Sequence, residues 1–193
     1  MTIKNVSRRK FLKGTAAGAG GFVLGVSILG KTSVSSAAQG HNSNAAMNLY
    51  IELNGEGEVT IIAMSPEIGQ GARTGMPAIV ADEMEADWDR VTIKQAGPDK
   101  RLGDQGVGGS SAIRENYTNL RKAGATARRM LEEAAASEWG VTLSEVTAEN
   151  HFVHHKATGR SLGFGELAMA ASMIEITADD DIKLKDKADF KYI

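Results

Sequence analysis

No cysteine occurs among the 193 residues, which removes disulfides, zinc–thiolate sites and cysteine-ligated iron–sulfur clusters. Any redox relay then has to sit in a partner. Aromatic residues make up only 5% of the chain and the formal net charge is -2. Neither a stacking platform nor a basic footprint for nucleic acid is present, so no nucleic-acid partner is expected. No serine nucleophile elbow and no His-Glu-x-x-His zinc motif appears either. What the chain has is ordinary globular make-up, 42% hydrophobic and 24% charged, long enough for one packed core.

The N-terminus reads as an address. Arg8 and Arg9 stand side by side, with Ser7 before them and Phe11, Leu12 and Lys13 after, ahead of an uncharged, glycine-rich apolar run from Gly14 to Gly30. This layout is similar to a twin-arginine export signal. Ser36, Ala37 and Ala38 supply small residues for cleavage, giving a signal over 1–38 and a polar linker over 39–46. The expected location is periplasmic or otherwise exported, with the twin-arginine translocase as a partner. The apolar run is short against the ~20 residues of a membrane span, and an uncleaved anchor is the alternative. Inside it, "GVSILGKT" (Gly25 to Thr32) fits the phosphate-loop pattern, but no strand precedes it and no helical periodicity follows. Without that context the pattern carries no nucleotide site.

Beyond the linker, Leu49, Ile51 and Leu53 and then Val59, Ile61 and Ala63 alternate around Asn54-Gly55, which predicts a β-hairpin. After the loop "EIGQGARTG" (67–75), Met76, Ile79, Val80, Met84 and Trp88 recur at spacings of three and four. That predicts an amphipathic helix, with Thr74 as N-cap and Pro77 in the first turn. "RVTIKQA" predicts a strand, and a second glycine-rich loop runs from Gly97 to Ser111. A long helix follows, with Ile113, Tyr117, Leu120, Gly124, Ala127, Leu131 and Ala134 on one stripe, ending at Trp139-Gly140. Gly124 and Ala127 let another backbone come close. "EVTAENHFVHH" predicts a second hairpin and "GFGELAMAAS" a short helix, with a polar tail over 179–193. The fold class is α+β: a hairpin followed by strand–loop–helix units, helices packed on a small mixed sheet, the domain spanning 47–178.

Each glycine-rich loop leads from a strand to a helix N-terminus, where unpaired N–H groups and a partial positive charge suit an anionic ligand. Gln70 adds an amide, and Ser110 and Ser111 add hydroxyls. None is an acid, base or nucleophile, so no catalytic residue is assigned; ordinary turns are the competing reading. His151, His154 and His155 have no carboxylate or thiolate at ligand spacing and are expected to be solvated hairpin residues. Asp82, Glu83, Glu85 and Asp87 are expected to form a solvated helix face. No metal ligand is assigned.

Three stretches carry a family resemblance. "EIGQGARTGMPAIVADEMEADWDRVTIKQA", "GDQGVGGSSAIRENYTNLRKAGATARRML" and "AENHFVHHKATGRSLGFGELA" resemble, in order and spacing, the N-terminal region of the large subunit of the isoquinoline 1-oxidoreductase β-subunit type of molybdenum hydroxylase, of the xanthine dehydrogenase and aldehyde oxidase superfamily, so that the chain reads as a truncated or split piece of it. The resemblance implies a molybdopterin-binding domain, with Gly69, Gln70, Gly71 and Thr74 in the first cofactor loop and Gly108, Gly109, Ser110 and Ser111 in the second. It implies a molybdenum cofactor, an iron–sulfur small subunit and the rest of the large subunit as partners. By it the 179–193 tail is the start of a missing following domain, and the isolated chain is inactive because the family's catalytic glutamate lies elsewhere. A standalone exported binding or interaction module is the alternative. Val107 and Ala112 stand where the family has hydroxyl residues, and His151 where it has a turn glycine.

Overall fold

The computed structural model describes residues 50–176 and 181–191. The signal expected over 1–38, with Arg8 and Arg9, and the linker expected over 39–46 lie outside the described residues, within which no helix is long and apolar enough to cross a membrane.

Strands β1 (Ile51–Leu53) and β2 (Val59–Ala63) pair antiparallel, with Leu53 opposite Val59. The alternation works as read: Ile51, Leu53, Val59, Ile61 and Ala63 are all buried. The turn is wider than a two-residue Asn-Gly turn, because the Asn54 carboxamide oxygen accepts the N–H groups of Glu56 (3.1 Å) and Glu58 (2.8 Å) and organises residues 54–58. From β2 the chain enters α1 (Ala72–Met84) and returns as β3 (Val91–Gln95), parallel to β2 with Val59 opposite Val91. A helical crossover is what a parallel pairing requires. Next come α2 (Ser111–Trp139), an antiparallel meander of β4 (Val146–Glu149), β5 (Phe152–His155) and β6 (Arg160–Gly163), and α3 (Phe164–Ala171). The α+β class holds, as three helices and two three-stranded sheets among the described residues. Strand β6 carries no apolar alternation and was not foreseen.

Helices α1 and α2 run in the same direction. A Cβ at Gly75 would meet Ile113 Cδ1 at 3.0 Å, and one at Gly124 would lie 2.4 Å from the Val80 carbonyl oxygen and 2.8 Å from Glu83 Cβ. Gly124 is thus the close-approach point anticipated from its small size, and both helix N-termini lie at the same end of the pair. At the other end Gly140 closes α2 in the left-handed conformation (φ 65).

Several details differ from the expectations. Gly71 (φ 80), not Thr74, caps α1; Thr74 is the third residue of the helix and Pro77 lies in its second turn. The helix starts early because Glu67, upstream, receives N–H groups of the loop and first turn, as described below. Trp88 lies past α1, in a 3-10 turn (Trp88–Arg90). Two of the three histidines are not solvated: His151 and His155 are 1% and 3% exposed, and His154 is half-buried. His155 Nδ1 lies 2.8 Å from the Thr158 hydroxyl. His151 occupies the turn between β4 and β5 with φ 72, the conformation for which glycine is favoured.

The ring of His151 explains why a side chain stands there. Nδ1 accepts the Asp87 N–H (3.2 Å), so Nε2 carries the proton and donates to the Gly57 carbonyl at 2.7 Å. The His151 N–H reaches the Glu85 carbonyl at 2.7 Å, its carbonyl accepts the Phe164 N–H at 3.1 Å, and its ring lies 4.5 Å from that of Phe164. One residue joins the first hairpin, the end of α1 and the start of α3. Burial is the main force holding its pKa below the ordinary value.

The acidic residues of α1 are not a solvated face either. Glu83 is 1% exposed and receives Arg121 Nε at 2.5 Å and the Lys185 N–H at 3.1 Å. Lys185 Nζ reaches Asp82 (3.1 Å) and Glu85 (2.9 Å), while Lys191 Nζ reaches Glu85 at 2.6 Å. Burial disfavours the Glu85 carboxylate, but hydrogen bonds from Lys191 and Lys185 outweigh it and keep its pKa below the ordinary range. Residues 181–191 therefore form a strap laid along α1 and α2, clamped by ion pairs.

Candidate cofactor-binding loops

The two glycine-rich loops meet because β2 and β3 are parallel neighbours and α1 and α2 start at the same end. Gly69, Gln70, Gly71, Thr74, Gly108, Gly109 and Ser110 are exposed, and Ser111 is half-buried. Around them Ile68, Ile113 and Tyr117 leave apolar surface open to solvent, with Ile68 71% exposed.

Chemically the loops differ. In the first, Glu67 turns its carboxylate onto the helix start: Oε1 accepts the N–H groups of Gly69 (2.7 Å) and Gly71 (3.0 Å), and Oε2 that of Arg73 (2.9 Å). These bonds, the one from Arg73 foremost, hold the Glu67 pKa below the usual carboxylate range. Gln70 also faces its own loop, its Oε1 accepting the Ile68 N–H and its Nε2 donating to the Pro66 carbonyl, both at 2.7 Å. The first N-terminus already holds an anion, and that anion is part of the chain.

In the second loop the helix start is open. Ser110 caps α2 from the left-handed region (φ 56) with no side-chain cap bond, and a Cβ at Gly108 or Gly109 would meet nothing within 4 Å. Ser111 Oγ donates to the Gly108 carbonyl at 2.8 Å. Backbone N–H groups, two glycines without side chains and the Ser110 hydroxyl suit a phosphate-bearing or pterin-like group. That loop fits the cofactor implied by the resemblance, whereas the first fits once Glu67 and Gln70 are counted as loop-shaping residues.

Sequence reasoning missed the residues that hold the loops in place. Gln95 Nε2 donates to the carbonyls of Ala63 (2.9 Å) and Ser65 (3.0 Å) at the root of the first loop. Gln105 Nε2 donates to the carbonyls of Met64 (2.7 Å) and Gly97 (3.0 Å), and its Oε1 accepts the Asp99 N–H at 2.8 Å. A glutamine inside a glycine-rich loop is the only signal the sequence offers for this. Farther along the helix pair, a pocket of about 250 Å³ is walled by Ile79, Tyr117, Arg121 and Phe190, and its one guanidinium is engaged with Glu83. No group of three histidine, cysteine or acidic side chains suited to a metal ion exists among the described residues.

Among the described residues, the two parallel helices present glycine-rich N-termini at one end, one occupied by the Glu67 carboxylate and the other open, an arrangement of the kind that receives an anionic group. The chain belongs to the family described as "Molybdopterin cofactor-binding domain", which it matches over residues 5–192, and its cofactor is accordingly molybdopterin. It is 34% identical over 135 residues to the isoquinoline 1-oxidoreductase subunit beta of Brevundimonas diminuta, covering 66% of this chain and 17% of that protein. It is 32% identical over 119 residues to a membrane-bound aldehyde dehydrogenase [pyrroloquinoline-quinone] of Gluconacetobacter polyoxogenes, covering 62% and 15% respectively. Among solved structures it is similar to a Cu,Mo-CO dehydrogenase, with 22% identity, a TM-score of 0.46, and coverage of 62% of this chain and 15% of that one. The chain thus spans about a sixth of the length of the curated relatives it matches.

Proposed function

We propose that this chain is the N-terminal, cofactor-binding piece of the large subunit of an exported molybdenum hydroxylase. The observation that carries the reading is the open N-terminus of α2 standing beside the first glycine loop, in a chain of the molybdopterin-binding family. Gly108, Gly109 and Ser110 would receive the cofactor's anionic end through N–H groups and the Ser110 hydroxyl, with Ser111 shaping the loop through its bonds to the Gly108 carbonyl, while Gly69, Gln70, Gly71 and Thr74 border it. When bound, the molybdenum cofactor supplies the redox chemistry that adds oxygen from water to an aldehyde or an aromatic N-heterocycle. This chain's residues bind and orient; they move no proton. The partners are the remainder of the large subunit, an iron–sulfur subunit and, through Arg8 and Arg9, the twin-arginine translocase. A standalone module is not favoured, because the relatives are subunits or enzymes several times longer.

The test is metal content. The chain would be co-produced with the remainder of a relative's large subunit and its iron–sulfur partner in a molybdenum-replete host. Near-stoichiometric molybdenum is expected in the assembly, falling at least tenfold in Gly109→Val, whose φ of 57 a β-branched residue adopts poorly. Pyrroloquinoline quinone in place of molybdenum, or full molybdenum in Gly109→Val, overturns the reading. Export is tested separately: Arg8→Lys with Arg9→Lys should leave the precursor in the cytoplasm.

A further inference from the structure

We propose that Gln105 is a positioning residue that couples the two glycine-rich loops, so that they move as one body. The β2–β3 ladder ends where the Ala96 N–H reaches the Ala63 carbonyl at 2.9 Å. Beyond it the chain continues toward the first loop with no strand beside it, and a carbonyl there needs a donor from elsewhere. Gln105 supplies one: its Nε2 donates to Met64 at the root of the first loop and to Gly97 at the start of the second, and its Oε1 accepts the Asp99 N–H. Both amide hydrogens and the amide oxygen are engaged, and the residue is half-buried.

The chemistry selects the amide. The position requires two donated hydrogens and one accepted, in one planar group at the end of a two-carbon stem. Glutamate would set a second acceptor against two carbonyls, and alanine would leave those carbonyls and one N–H without their side-chain partner. Gln95 holds the flanking Ala63 and Ser65 carbonyls, but its third contact is the adjacent Ala96 carbonyl at 3.5 Å, short of the second loop. Gln105 grips both sides. The spacing between the α1 and α2 N-termini is thereby set before a ligand arrives, which lowers the ordering cost of binding. The importance of that spacing for the cofactor rests on the function proposed above; the coupling itself does not.

Backbone amide exchange by NMR on the cofactor-free chain tests it. In Gln105→Ala and Gln105→Glu, exchange at Gly69 and Gly71 should accelerate about tenfold together with Gly106 and Ser111, with Leu120 and Met130 unchanged. Gln70→Ala, local to the first loop, should leave Gly106 and Ser111 at wild-type rates. Acceleration confined to 97–111, with Gly69 and Gly71 unaffected, overturns the proposal. A measurement on the wild type needs no variant to fold: under mild denaturant the two loops should share one opening free energy, and two separate values would also overturn it. In the molybdenum-loaded assembly, Gln105→Ala should lose metal at least tenfold faster. If the wild-type assembly holds no molybdenum, the functional reading fails while the exchange data still decide the coupling.

Discussion

The two ends of the α1–α2 pair solve the same problem, that of ending a helix, in opposite ways. At the loop end one N-terminus is satisfied by an exposed glutamate and the other is left open, with Ile113, Tyr117 and Ile68 facing solvent. At the far end Glu83, Arg121, Arg128, Lys185 and His151 tie the helices to the strap and to both sheets, largely out of water. Stability is concentrated at one end and adaptability at the other, the division expected where a binding surface has to open and close without unfolding its support.

The largest test of this asymmetry is Glu83→Ala. Removing a buried carboxylate that faces two guanidinium groups and a backbone N–H should cost about 3 kcal/mol, read as a lower midpoint in urea unfolding. An effect no greater than that of an exposed glutamate would mean that the far end is not the anchor. Next is Gly124→Ala, whose methyl group would press on the Val80 carbonyl oxygen and Glu83 Cβ. A loss of about 2 kcal/mol is expected from pushing the helices apart, although alanine is the better helix former.

A smaller effect should appear on acidification, in two stages. The His151 pKa is lowered in the folded chain, so the unfolded chain takes up that proton first; its contribution is complete above about pH 6.5 and fades as the pH falls below it. The Glu85 pKa is also lowered, so its contribution is complete above the ordinary carboxylate value and is lost as the pH falls through the lower folded one. Melting temperatures followed from pH 8 downward should show both stages, and His151→Asn should remove the first. The smallest effect on stability belongs to the loop end. Glu67→Ala should leave the melting temperature unchanged while freeing the N–H groups of Gly69, Gly71 and Arg73. Titration with inorganic phosphate should then shift those amide resonances in the variant and leave them still in the wild type.

What could be read from the sequence was whatever is written in local periodicity. The first hairpin, the extent of α2 and its stop at Gly140, and the close approach at Gly124 all follow from spacing and residue size. Contacts between distant residues were not legible. Nothing near Asp82 or Glu85 announces Lys185 or Lys191, and nothing near His151 announces Gly57. Thr74 reads as a cap because the usual rule looks for a hydroxyl at the helix boundary, whereas Glu67 accepts the N–H groups of Gly71 and Arg73 from farther upstream and lets the helix begin at Ala72. The loops themselves were recognisable by their glycines, but their difference was not, since it depends on where one carboxylate turns.

The strap has a consequence for the order in which the chain is made. Asp82 and Glu83 emerge from the ribosome about a hundred residues before Lys185, which meets them across separations of 103 and 102. During that interval Glu83 can meet Arg121 and Arg128 but not the backbone N–H of Lys185, and Asp82 has no ammonium to face. The helix pair is therefore synthesised before the ion pairs at the end of α1 can close. Those ion pairs, with Lys185 and Lys191, are the last among the described residues that synthesis makes available.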